Sequence, residues 1–197
     1  EFPPEANGPP RWVAYQATRD GRTEVYLWEF DPNSPTLIPA DAGEWQVSKG
    51  GGSAPHWNPN GKEVTYVGQR EGSQVYNLYK MNINGGPEIA ITNNTSGHVD
   101  GPEYSPDGKW IYFNGNETGT MQLWRMKPDG TGKEQITFDE YHNWFPHISP
   151  DGKWVAYTSM ESGTPEIYVH GFPVAGARVR ISADGGARPR WSLDGRE

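Results

Sequence analysis

The chain has 197 residues, 34% hydrophobic and 13% aromatic, with 25 Gly, 18 Pro and no Cys. A net charge of −8 argues against a phosphate-binding surface and hence against a nucleic-acid partner, because that affinity comes mostly from clustered Lys and Arg. The lack of Cys excludes a disulfide framework and thiolate chemistry, and no apolar run approaches the roughly 20 residues of a membrane-spanning helix.

Residues 1–10, with four prolines and no periodicity, read as a flexible leader or cloning remnant. From residue 11 to 197 one repetitive domain is expected. Arg11-Trp12-Val13-Ala14-Tyr15 is a strand one step into a repeat, and it matches Lys153-Trp154-Val155-Ala156-Tyr157. A turn motif follows four times: Pro59-Asn60-Gly61-Lys62, Pro106-Asp107-Gly108-Lys109, Pro150-Asp151-Gly152-Lys153 and a worn Leu193-Asp194-Gly195-Arg196. Its glycines stand 47, 44 and 43 residues apart, the period of one propeller blade.

Each period divides into four short strands between turn signals. In the second repeat the spacing predicts an inner strand over 53–57, a second over 63–67, a third over 75–83 and an outer one over 88–92, with Asn84-Gly85-Gly86 as a hairpin turn. The third repeat predicts strands at 102–104, 110–113, 121–126 and 134–137; the fourth, at 146–148, 154–157, 166–169 and 178–182. Asp107, Asp151 and Asp194 each precede a turn glycine, where a short carboxylate bonds backbone N–H groups, so they read as structural rather than catalytic.

Arg188-Pro189-Arg190-Trp191 supplies the inner strand that the first repeat lacks. The expected fold is therefore all-β, a propeller of four four-stranded antiparallel blades over 187–197 plus 11–49, 50–97, 98–141 and 142–186. Pairing of the terminal strands would close the ring and remove exposed sheet edges. Half of an eight-bladed dimer, or a fragment of a longer propeller, fits the same periods, so the oligomeric expectation is monomer or homodimer.

The pattern Ser-Pro-Asp-Gly-Lys-Trp followed by an aromatic strand resembles the TolB-like, WD-repeat-like propellers of bacterial envelope proteins, over residues 11–197. The segments 121–130 and 143–153 resemble Tol transporter-associated proteins. Gly43-Glu44-Trp45-Gln46-Val47-Ser48 and Ile167-Tyr168-Val169-His170-Gly171-Phe172-Pro173 resemble the propeller domains of bacterial Ser/Thr kinases, although nothing here resembles a kinase domain. The resemblance implies a periplasmic or secreted scaffold for a protein or carbohydrate partner. A minority of such propellers are enzymes, some of them lyases with a His-rich metal site.

Two residue groups could carry function. After the inner-strand proline stand His56, Glu103, His147 and Arg190, one per blade, which would converge on a channel. Of these, His56, Glu103 and His147 suit a divalent metal, though no metal-ligand spacing supports them and a polar channel lining is the plainer reading. The loops entering the inner strands carry His98 and Asp100, and Tyr141, His142, Asn143 and Trp144, which suit partner recognition. Asp100 could equally cap its own turn. No Ser/His/Asp set or nucleophile elbow stands out. The expected function is non-catalytic binding without a cofactor; the alternatives are a metal-dependent lyase or hydrolase, and an engineered or recombined propeller without evolved function.

Overall fold

The computed structural model describes residues 12–30, 43–70, 72–172, 178–192 and 194–195. The expected leader at 1–10, and the chain end at 196–197, lie outside the described residues. All regular structure among those described is β, in four antiparallel sheets.

The first sheet orders β1 (Trp12–Arg19), β2 (Arg22–Glu29) and β3 (Glu44–Gln46). The second orders β4 (Ser53–Trp57), β5 (Glu63–Gln69), β6 (Tyr76–Asn82) and β7 (Ile89–Ala90). The third holds β8 (Val99–Tyr104), β9 (Ile111–Gly115), β10 (Gln122–Met126) and β11 (Glu134–Gln135), and the fourth β12 (Asn143–Ile148), β13 (Trp154–Ser159), β14 (Glu166–Gly171) and β15 (Val179–Arg180). Strand order equals chain order in every sheet, as in four propeller blades. The chain divides into two compact units between Ser96 and Gly97.

The first sheet has three strands rather than the expected four. Arg188–Trp191 forms no strand; it lies on the fourth blade, where Arg188 N donates to Thr158 Oγ1 at 3.0 Å and Trp191 N to His147 Nδ1 at 2.9 Å.

The repeated turn motif works as its chemistry requires. Gly61, Gly108, Gly152 and Gly195 all hold φ between 68° and 73°, a region that glycine enters without a Cβ clash. Each N–H closes the turn on the carbonyl three residues back, at 2.8–2.9 Å. Ser105 Oγ donates to Asp107 Oδ1 and Ser149 Oγ to Asp151 Oδ1, both at 2.6 Å, and each carboxylate also accepts the following Lys N–H at 3.1 Å. The Ser105 hydroxyl and the Lys109 N–H hold Asp107 down at about 2, and the same contacts from Ser149 and Lys153 lower Asp151.

The inner strands carry a bulge. Register shifts between Ser53 and His56, Asp100 and Glu103, and Trp144 and His147, and the residue before the proline is left-handed each time: Ala54 at φ 47°, Gly101 at 59° and Phe145 at 53°. Arg188, at 55°, repeats this on the segment that forms no strand. The freed N–H of three of them meets a polar side chain at one repeat position on a second strand. Ala54 N donates to Gln16 Oε1 at 2.7 Å, Phe145 N to Asn114 Oδ1 at 3.2 Å and Arg188 N to Thr158 Oγ1. Val67 fills that repeat position in the second blade, and Gly101 N instead bonds Asp100 Oδ1 at 2.7 Å.

The outer strands are shorter than the spacing predicts because a Ser or Thr ends each ladder. Ser48, Thr92, Thr137 and Ser182 accept the N–H of Val25, Leu78, Leu123 and Ile167 at 2.8–2.9 Å. Apolar packing is continuous within each unit. Ala14, Leu27, Trp57, Val64, Tyr66 and Met81 share a core in the first, and Tyr112, Leu123, Ile148, Val155 and Tyr157 in the second. Stacked rings Tyr15/Tyr26, Tyr66/Tyr79 and Tyr157/Tyr168 are covered by Arg19, Arg70 and Arg178. Those guanidinium groups pair with Glu44, Glu88 and Asp139.

Candidate functional site

The loop between β11 and β12 is the most exposed aromatic surface of the second unit. Phe138 is 78% and Tyr141 41% exposed, and His142 stacks on Trp144 with ring centroids 5.3 Å apart and planes 10° from parallel. The frame beneath is rigid. Gln122, buried at the start of β10, donates its Nε2 to Asp139 O at 3.0 Å and Tyr141 O at 2.8 Å. Asn143 is fully buried and donates its Nδ2 to Asp139 Oδ1 at 2.8 Å, while Asn143 N bonds Met121 O at 2.7 Å. His142 Nδ1 accepts Met121 N–H at 3.1 Å, which fixes the imidazole against the indole. Arg178 ties Asp139 to the fourth blade at 2.7 Å.

Of the loop residues expected from sequence, His142 is exposed, Trp144 stacks on it half-buried, and Asn143 is buried in the frame. His98 is exposed at the start of the third inner strand, with its N–H on Asn116 Oδ1 at 2.7 Å. Asp100 caps its own bulge through Gly101 N. Phe138 was not anticipated. Its signal is a repeat-position contrast: after Thr137 the loop reads Phe-Asp-Glu-Tyr, whereas the equivalent stretch after Thr92 reads Asn-Asn-Thr-Ser.

The inner-strand position brings three of its four residues together within the second unit. Glu103 Oε1 lies 3.0 Å from His147 Nε2, and Glu103 Oε2 2.8 Å from Arg190 Nη1. His147 Nδ1 accepts the Trp191 N–H, so Nε2 carries the proton that Glu103 receives. Both imidazole nitrogens are thus engaged, and His147 could ligate a metal only by giving up one of these bonds. His56 belongs to the first unit, on β4 opposite Thr65. Among the described residues no group of three His, Asp or Glu stands close enough to hold a metal ion, and no helix is long and apolar enough to cross a membrane.

Comparison with known proteins agrees with this architecture. The TolB beta propeller domain matches residues 4–197. An uncharacterised protein of Agrobacterium fabrum is 40% identical over 127 residues, covering 64% of this chain and 40% of the relative. The Tol-Pal system protein TolB of Anaeromyxobacter dehalogenans is 35% identical over 86 residues, 44% of this chain and 19% of the relative. The matched segments cover less than half the length of either relative. A solved structure described as TolB of Agrobacterium tumefaciens superposes with a TM-score of 0.75 at 33% identity, covering 94% of this chain and 68% of the other.

Proposed function

The chain belongs to the TolB beta propeller domain family, and from that premise we propose that it is a non-catalytic scaffold that binds a protein partner through the loop between β11 and β12. The exposed Phe138, Tyr141 and His142, with half-buried Trp144 stacked on His142 and the whole held on buried Gln122 and Asn143, carry the reading. Large exposed aromatics on a rigid base lose little conformational entropy on binding and form the kind of cluster that dominates protein interfaces. The engaged Glu103–His147–Arg190 set serves as a channel-lining brace.

The name of the Anaeromyxobacter relative ties that protein to a Tol-Pal system, so the Pal component of such a system is the first partner to test, and a periplasmic location belongs to the same proposal. The decisive comparison is binding by the unaltered chain and by Phe138→Ser/Tyr141→Ser. Phe138 is mostly and Tyr141 partly solvent-facing, so thermal stability should change little while affinity falls about thirtyfold, as expected for a hot spot worth about 2 kcal/mol. Unchanged affinity in the double variant would refute the assignment.

A further inference from the structure

The first unit contains a cavity of about 550 Å³ between its two blades, at the end where the chain enters the inner strand β4. Its wall is polar: Gln16, Gln69 and Gln74 contribute amides, Ser53 and Ser73 hydroxyls, and Tyr76 a ring; Arg22 and Arg70 line it as well, the Arg70 guanidinium being paired with Glu88. We propose that this cavity binds an uncharged oligosaccharide of two or three hexose units.

The hydrogen-bond partners leave the wall with both polarities. Gln16 Oε1 is taken by Ala54 N at 2.7 Å, which leaves its Nε2 donors; Gln69 Nε2 is taken by Ser73 O at 2.8 Å, which leaves its Oε1 acceptor. A sugar hydroxyl donates and accepts at once, so it matches such a pair better than a purely anionic or purely cationic group does. A volume within the range of roughly 300–1,000 Å³ typical of small-molecule sites suits a ligand of this size.

The rim is preorganised. Glu24, buried beneath it, accepts the Ser48 hydroxyl together with Gly50 N at 3.1 Å and Gly51 N at 3.0 Å. Gly51 holds φ 110°, and a Cβ there would stand 2.8 Å from Gln69 O, so the loop fits against β5 only as glycine. A cavity whose walls are fixed before the ligand arrives lowers the ordering cost of binding.

This proposal does not depend on the protein contact at the β11–β12 loop; the two share no residue, and each can fail alone. The test is an amide chemical-shift titration of the whole chain with cellotriose, maltotriose and chitotriose, and with inorganic phosphate as a control. At least one sugar should shift Gly51, Ser53, Gln69 and Gln74 saturably, with Phe138 and His142 unmoved, and Gln74→Ala should weaken that binding about fivefold, the loss of one hydrogen bond. No saturable shift with any sugar at millimolar concentration would overturn the proposal. Shifts confined to other residues would do the same, as would an effect on these amides from phosphate alone.

Discussion

Ala54 and Phe145 hold a conformation that disfavours side chains, with φ of 47° and 53° directly before a proline. The bulge requires it, because turning the strand there exposes an N–H that Gln16 or Asn114 satisfies. Gly101 occupies the same repeat position without that cost, so Ala54→Gly should raise stability by about 1 kcal/mol, read from a denaturant midpoint at unchanged slope. His170 is buried edge-on to Tyr157, and burial lowers it below the usual imidazole range. The unfolded chain, titrating near 6.5, then binds the proton first, so this contribution is fully present above about pH 6.5 and is lost as pH falls toward the depressed folded value. His170→Phe should remove that segment of the stability profile. Asp107 acts lower: its bonds to Ser105 and Lys109 stabilise the fold above the unfolded value near 3.9 and are lost as pH falls through about 2, a window that Asp107→Asn should flatten.

Each blade is fastened by a Ser or Thr hydroxyl standing in for the last rung of its outer strand. Thr137 Oγ1 bonds the buried Leu123 N–H at 2.9 Å. Thr137→Val keeps the shape and strands that donor, and it should cost about 1–3 kcal/mol in urea unfolding. The inner strand β4 spans the same residues as its sequence pattern, and the Asn-Gly and Asp-Gly turns lie where glycine and carboxylate chemistry puts them, because those signals are local. The hydroxyl fasteners and the Arg-capped tyrosine stacks were missed, since they pair residues that only a repeat-by-repeat alignment brings into register. The convergence of Glu103, His147 and Arg190 was legible from repeat position alone, whereas the burial of Asn143 was not: an Asn beside two aromatics in a polar loop carries no mark of which side faces in.

At the scale of the molecule, the first sheet has one strand fewer than the others and Arg188–Trp191 forms none. Closure remains a proposal whose two forms differ in mass. A fourth strand from the same chain gives a particle of 22.0 kDa, and one from a second copy doubles it, so light scattering on a sizing column distinguishes them. We place partner binding in the aromatic loop of the second unit. Amide and indole shift mapping of the labelled chain during titration with the purified Pal component probes this loop residue by residue. Saturable shifts are expected at Phe138, Tyr141, His142 and the Trp144 indole, with the cavity amides of Gly51 and Gln69 unmoved. Binding that leaves the loop signals in place, or that shifts another surface instead, would contradict it.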